Sequence, residues 1–170
     1  MKRRLTGAAL ATLFAFLLAG SVPALAYDRA ADEATILKLI NHARGQRGLA
    51  AVRVVGPLDQ AALSHSRDMI RSDYFAHSSL GGATVSARAR GAGYSISGCS
   101  QWSVGEVIAW GAAGRGTPES IFKAWMGSSS HRQVILSRRW RDVGVGCYRG
   151  TYRGLPGAIM YTIDFGRRVQ

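Results

Sequence analysis

Two histidines and one glutamate are the residues of this chain best suited to chemistry. They are His77 at the end of Tyr74-Phe75-Ala76-His77, Glu106 within Val104-Gly105-Glu106-Val107-Ile108-Ala109-Trp110, and His131 in Ser130-His131-Arg132. Two imidazoles and a carboxylate are the donor set of a zinc-type site that keeps one position open for water. Glu106 is the most informative of the three, because its surroundings read as a half-buried strand with Val104, Glu106, Ile108 and Trp110 on one face. An ionised carboxylate in that setting must be paired, hydrogen-bonded or metal-bound, or it goes neutral. The three side chains therefore form either a site for Zn or another divalent cation, or a metal-free network in which the histidines satisfy a buried acid. No His-Glu-x-x-His pair is present, so a shared site depends wholly on the fold.

Other candidates carry less chemistry. His65 falls on the apolar stripe Leu58, Ala61, Ala62, Met69 and reads as a packed histidine. Trp102, Trp110 and Ser128 are the candidates for lining a groove, although aromatics at such spacings also serve as core. Ser128, Ser129 and Ser130 beside His131 invite a Ser-His nucleophile, but neighbours in sequence seldom point at each other.

Helices and strands must bring these residues together. Ile36, Leu37, Ile40 and Ala43 recur at helical spacing and stop at Gly45 and Gly48; residues 27–32 before them read as a loose arm. Pro57 opens a second helix that delivers Tyr74-Phe75-Ala76-His77 near its C-terminal end, and a short Arg-rich helical piece follows near Val85 to Arg90. Thr117-Pro118 starts a helix buried through Ile121, Phe122 and Trp125, and a short turn after it holds His131. Val143, Val145 and Cys147 alternate with glycines in a strand whose missing side chains imply close backbone approach, and Ala158 to Phe165 reads as the last strand. This pattern is α+β, with helices packed on an antiparallel sheet.

The start of the chain bounds its location. Lys2, Arg3 and Arg4 precede an apolar run from Leu10 to Leu18 and the small-residue pattern Ala24-Leu25-Ala26, which predicts a signal peptide over residues 1–26, cleaved after Ala26. Export to a periplasm or to the extracellular space follows. No later segment approaches the length of a transmembrane helix. The remaining 27–170 suits one domain, its main body at 33–170, and losing three basic residues takes the formal charge from +12 to +9. That charge favours anionic partners, but the arginines are scattered without the interleaved aromatics of a nucleic-acid surface, which argues against nucleic acid as partner. In an oxidising compartment Cys99 and Cys147 are expected to pair, closing a loop of about fifty residues worth roughly 4 kcal/mol in the chain-entropy treatment.

The order of short motifs resembles a known family. Leu39-Ile40-Asn41 with Arg44, Ser64-His65-Ser66 with Met69, Tyr74-Phe75-Ala76-His77, Gly105-Glu106, Ala124-Trp125-Met126, Ser130-His131-Arg132, Val143-Gly144-Val145-Gly146 and Thr162-Ile163-Asp164-Phe165-Gly166 are similar to bacterial members of the CAP superfamily, also called SCP, which includes cysteine-rich secretory and pathogenesis-related proteins. The resemblance implies an α-β-α sandwich with a central antiparallel sheet and a cleft lined by two histidines and two acids. His77, Glu106 and His131 match three of those positions, while the fourth falls near Ser128, where no acid stands. Val107 and Val134 replace asparagines usual in the family. The resemblance, with the basic charge, implies a secreted module binding a lipid, an envelope component or a divalent metal. The same three residues would serve a metal-dependent, protease-like hydrolase with Glu106 as its catalytic base. A basic structural or interaction protein of the cell envelope, held to anionic polymers by its arginines, is the third expectation.

Overall fold

The computed structural model describes residues 27–170, so the expected signal peptide lies outside the described residues. In chain order the elements are α1 (Arg29–Gly45), β1 (Arg53–Val54), α2 (Gly56–Arg71), α3 (Val85–Gly91), β2 (Gln101–Gly111), a 3-10 turn (Ala113–Gly116), α4 (Pro118–Gly127), α5 (Ser129–Ile135), β3 (Asp142–Tyr152) and β4 (Leu155–Val169). The sheet runs β1-β3-β4-β2. The three long strands are antiparallel, and only the two-residue β1 pairs parallel, with β3. This is the expected α+β sandwich.

Local signals set most helix starts. Thr117 accepts from the Ser120 amide and Pro118 occupies the first turn of α4. Pro57 does the same for α2. The loose arm expected over 27–32 is a correction: Asp28 accepts from the Ala31 amide, and Arg29 to Asp32 are the first turn of α1. A side-chain acceptor at the cap and acid in the first turn are the physical reason this segment is helical.

Strand alternation sorts the core into two layers. Val107, Val145, Ile163 and Phe165 point to one face, where they pack with Ile36, Ile40, Trp125 and Ile135 from α1, α4 and α5. The opposite face presents Glu106, Ile108, Thr162 and Asp164 and is covered by α2 and α3. Here the glycines of β3 decide the geometry. A Cβ on Gly144 would sit 2.0 Å from the Leu58 carbonyl carbon, and one on Gly146 would sit 2.1 Å from the Leu63 nitrogen. The backbone of α2 therefore lies directly on β3, as the bare strand implied. Buried Arg44 donates to the Ala50, Ile135 and Ser137 carbonyls and ties the end of α1 to the end of α5, fixing the helix that carries His131.

The expected disulfide is not formed; Cys99 and Cys147 are both free thiols. The sheet register explains it. Cys147 stands opposite Tyr161, whereas Cys99 precedes Gln101, which stands opposite Val169. Eight residues of strand separate those positions, about 26 Å, where a disulfide needs Cα atoms within roughly 7 Å. Cys147 instead lies 3.1 Å from the Tyr27 hydroxyl, and burial pushes its thiol up to about 12.

Candidate functional site

Glu106 lies at the middle of β2, an edge strand of the sheet, so elements from both layers can meet over it. Its side chain is almost wholly buried, and both oxygens are engaged. Oε1 is 2.6 Å from His77 Nδ1, and Oε2 accepts from the Arg88 guanidinium. His77 sits beyond the C-terminal end of α2 and is 61% exposed, so it closes over the acid from the solvent side. Arg88, on α3, is nearly buried and also donates to the His77 and Ala83 carbonyls, each at 2.9 Å. One guanidinium thus fixes both the acid and the loop that carries its histidine. A cavity of about 250 Å3 opens over Arg88 between α2 and α3.

The third expected member joins less directly. His131, on α5, comes close enough to His77 for the two imidazoles to repel, and its buried Nδ1 has no partner among the described residues. Burial and the His77 charge both hold its imidazole below the usual histidine range. His77 moves the other way, raised by its bond to Glu106. His65 is packed, as its place on the apolar stripe implied, yet it belongs to the site: Nε2 is 2.9 Å from the Ala76 carbonyl and 3.9 Å from Glu106 Oε2. Burial lowers its basicity, the nearby carboxylate opposing.

Two participants were missed in the sequence. Asp164 is the ladder partner of Glu106 on β4 and is fully buried, with neither oxygen hydrogen-bonded among the described residues. Burial raises its carboxyl well above the usual range, and the Glu106 charge pushes the same way. Both effects favour its protonated form beside the Glu106 carboxylate. The signal that singled out Glu106, an acid within an apolar strand, was equally present at Ile163-Asp164-Phe165. Arg88 had no comparable signal, because nothing in Val85 to Arg90 distinguishes one arginine from the other.

Trp102, Trp110 and Ser128 do not share the one groove expected: Trp102 lines a space beside the start of β2 and Trp110 another beside the 3-10 turn. The two tryptophans stand eight residues apart on β2, about 26 Å. Trp110 packs edge-on against Tyr152 with centroids 4.8 Å apart, and Ser128 Oγ pairs with Ser130 Oγ at 3.0 Å. That serine pair also leaves no bond from either hydroxyl to His131.

A divalent cation was implied for this cleft. Among the described residues no three His, Cys, Asp or Glu side chains are gathered in a way that would hold a metal ion. The donor chemistry gives the reason: both Glu106 oxygens are held by His77 and Arg88, so the acid orients His77 rather than serving as a ligand. The residues present do not fit a three-ligand catalytic centre.

Comparison with known proteins gives a consistent outcome. The model of the cysteine-rich secretory protein family, CAP, matches residues 37–165. An uncharacterized protein of Bacillus subtilis (strain 168), YkwD, is 33% identical over 118 residues, which are 68% of this chain and 42% of the relative. An uncharacterized membrane protein of the same strain, YlbC, is 29% identical over 121 residues, 71% of this chain and 33% of its own. The chain spans less than half the length of both. Among solved structures, an extracellular protein containing an SCP domain from Bacillus anthracis str. Ames superposes with TM-score 0.65 at 24% identity, covering 82% of this chain and 41% of its own. An outer surface protein from Borrelia burgdorferi gives TM-score 0.66 at 18% identity over 84% and 96% of the two chains. At these identities the superpositions establish the fold alone.

Proposed function

This chain belongs to the cysteine-rich secretory protein (CAP) family, and on that premise we propose that it is an exported ligand-binding domain whose His77, Glu106 and His131 cleft is a polar clamp without a catalytic role. One observation carries the reading. A general base must face water or substrate, whereas the Glu106 side chain is 2% exposed and each of its oxygens already accepts from His77 or Arg88. The carboxylate instead pins the loop after α2 to the edge strand and leaves the exposed His77 ring at the surface. Export is supported by the leader-like residues 1–26 and by the extracellular and outer-surface descriptions of structural neighbours.

The ligand is an envelope component, lipid or anionic polymer, since the basic charge favours negative partners. A divalent cation at the cleft would be held by the His77 and His131 imidazoles alone, with Glu106 orienting the first. Such a site is accessory to the binding role.

The experiment is a turnover screen of purified protein on peptide and ester substrates, with and without added zinc, alongside retention by isolated cell envelopes. The expected result is envelope retention and no turnover. Hydrolysis that Glu106→Gln abolishes while the fold survives would replace this reading with the metal-dependent hydrolase. Titration with zinc tests the cation separately: weak uptake should vanish in the His77→Ala, His131→Ala double variant.

A further inference from the structure

A large open cavity lies away from the histidine cleft. About 1000 Å3 of open space lies against α5 and the loop after it, lined by Arg132, Ser137, Arg139 and Trp140. A second space of about 550 Å3 lies beside the start of β2 and the end of β4, lined by Trp102, Arg139 and Arg167. Arg139 is common to both. The two spaces adjoin as a depression on either side of this arginine, with Arg138 one residue and Arg141 two residues away in the chain.

These five arginines have no carboxylate partner among the described residues. Among the described residues the arginine ion pairs are Arg29 with Glu33, Arg88 with Glu106 and Arg168 with Asp142. Asp142, the acid closest in sequence, is taken by Arg168 and by the Tyr94 hydroxyl. Backbone carbonyls hold several of the arginines in place instead. Arg132 donates to the Met126 carbonyl at 2.7 Å, Arg141 to those of Arg138 and Trp140 at 2.8 Å, and Arg167 to that of Arg139 at 3.3 Å. Guanidinium groups pre-positioned in a concavity focus positive potential, and their planar forks match phosphate oxygens.

We propose that this depression is a binding site for a linear, phosphate-bearing polyanion, which lies across Arg139 from α5 toward the end of β4. Two observations select this occupant. A bilayer surface would want exposed apolar side chains beside the bases, but the apolar residues Val134, Leu136 and Val169 of the lining are half-buried, and the exposed large ones, Val54, Phe75, Leu80 and Leu155, line neither cavity. A nucleic acid would want open aromatic faces for its bases. Trp140 is 4% exposed, stacked on Phe165 with Arg139 lying 5.5 Å from its ring centroid, and Trp102 is half-buried. The site is separate from the histidine cleft and does not depend on how that cleft is read.

The test is binding of long-chain inorganic polyphosphate to the protein at low salt, with single-stranded oligothymidine and anionic phospholipid vesicles measured in parallel. Polyphosphate should bind most tightly, and Arg139→Gln with Arg167→Gln should weaken it about tenfold or more. Arg71→Gln with Arg149→Gln removes the same charge elsewhere and should change it by less than about twofold. Should the first pair impair folding, Arg138→Glu with Arg139→Glu places the change on two exposed loop residues and should give the same loss. Equal weakening by the two glutamine pairs would overturn the site in favour of diffuse charge. Equal or tighter binding of oligothymidine or of vesicles would overturn the proposed occupant. A His77→Ala variant should bind polyphosphate normally, which keeps this outcome distinct from that of the cleft.

Discussion

Replacing Arg88 by methionine probes the arrangement at its most vulnerable point. The Arg88 side chain is 9% exposed and that of Glu106 is 2% exposed, so the substitution strands a carboxylate out of water with His77 as its hydrogen-bond partner and His65 3.9 Å away. Asp164 offers no positive charge in exchange, because it is itself a buried acid whose oxygens make no hydrogen bond to Glu106. Breaking a buried ion pair from one side costs about 3–5 kcal/mol. The bonds to the His77 and Ala83 carbonyls are lost too, at roughly 1 kcal/mol each, although water can partly replace them near the surface. The expected loss at pH 7 is therefore about 5 kcal/mol, or a melting midpoint lower by roughly 15 °C for a chain of this size. Glu106→Gln in the Arg88→Met background removes the stranded charge and should recover about 2 kcal/mol, which appears as a coupling energy in a double-mutant cycle. Urea unfolding of the four proteins measures it. The penalty of Arg88→Met alone should shrink on acidification, because a neutral carboxyl needs no counter-charge. A loss below about 1 kcal/mol, or strictly additive single effects, would refute the ion-pair account.

Three other outcomes follow from the same geometry. Proton NMR titration should place His77 above the ordinary histidine value of roughly 6.5 and His65 and His131 below it. The stabilisation due to His77 is then complete below about pH 6.5 and fades as pH rises through its folded value. That due to the other two is present above about pH 6.5 and is lost as pH falls through theirs; a common direction for all three would contradict this. Asp164 has a raised folded value, so wild-type stability drops as pH rises from about 3.9 toward that value. Asp164→Asn should remove this drop and gain on wild type between pH 4 and pH 7 in urea midpoints. Thiol labelling of native, non-reduced protein should modify Cys99 and spare buried Cys147, and denatured protein should show two thiols. A mass two protons lower in the non-reduced chain would restore the disulfide.

Much of the fold was legible because its signals are local. Thr117-Pro118 caps α4, Pro57 opens α2, and the bare glycines of Val143-Gly144-Val145-Gly146 announce the strand on which another backbone rests. Glu106 was legible for an equally local reason, a charge in an apolar strand, and the same reasoning would have found Asp164. The cysteines misled because compartment and even number speak for pairing, whereas the register of β2 on β4 sets them strand-lengths apart. Trp102 and Trp110 misled similarly, sharing a face but not a place.

The sequence by itself determined the element types, the family likeness and the presence of an acid that must find partners, since these follow from neighbours along the chain. Only the tertiary structure decided who those partners are. Arg88 and His65 reach Glu106 because α2 lies flush on the glycines of β3 and α3 packs beside α2. Asp164 reaches it because antiparallel register sets it opposite on β4. An acid's need for partners is a local energetic fact, and which groups meet that need depends on contacts between residues far apart in the chain.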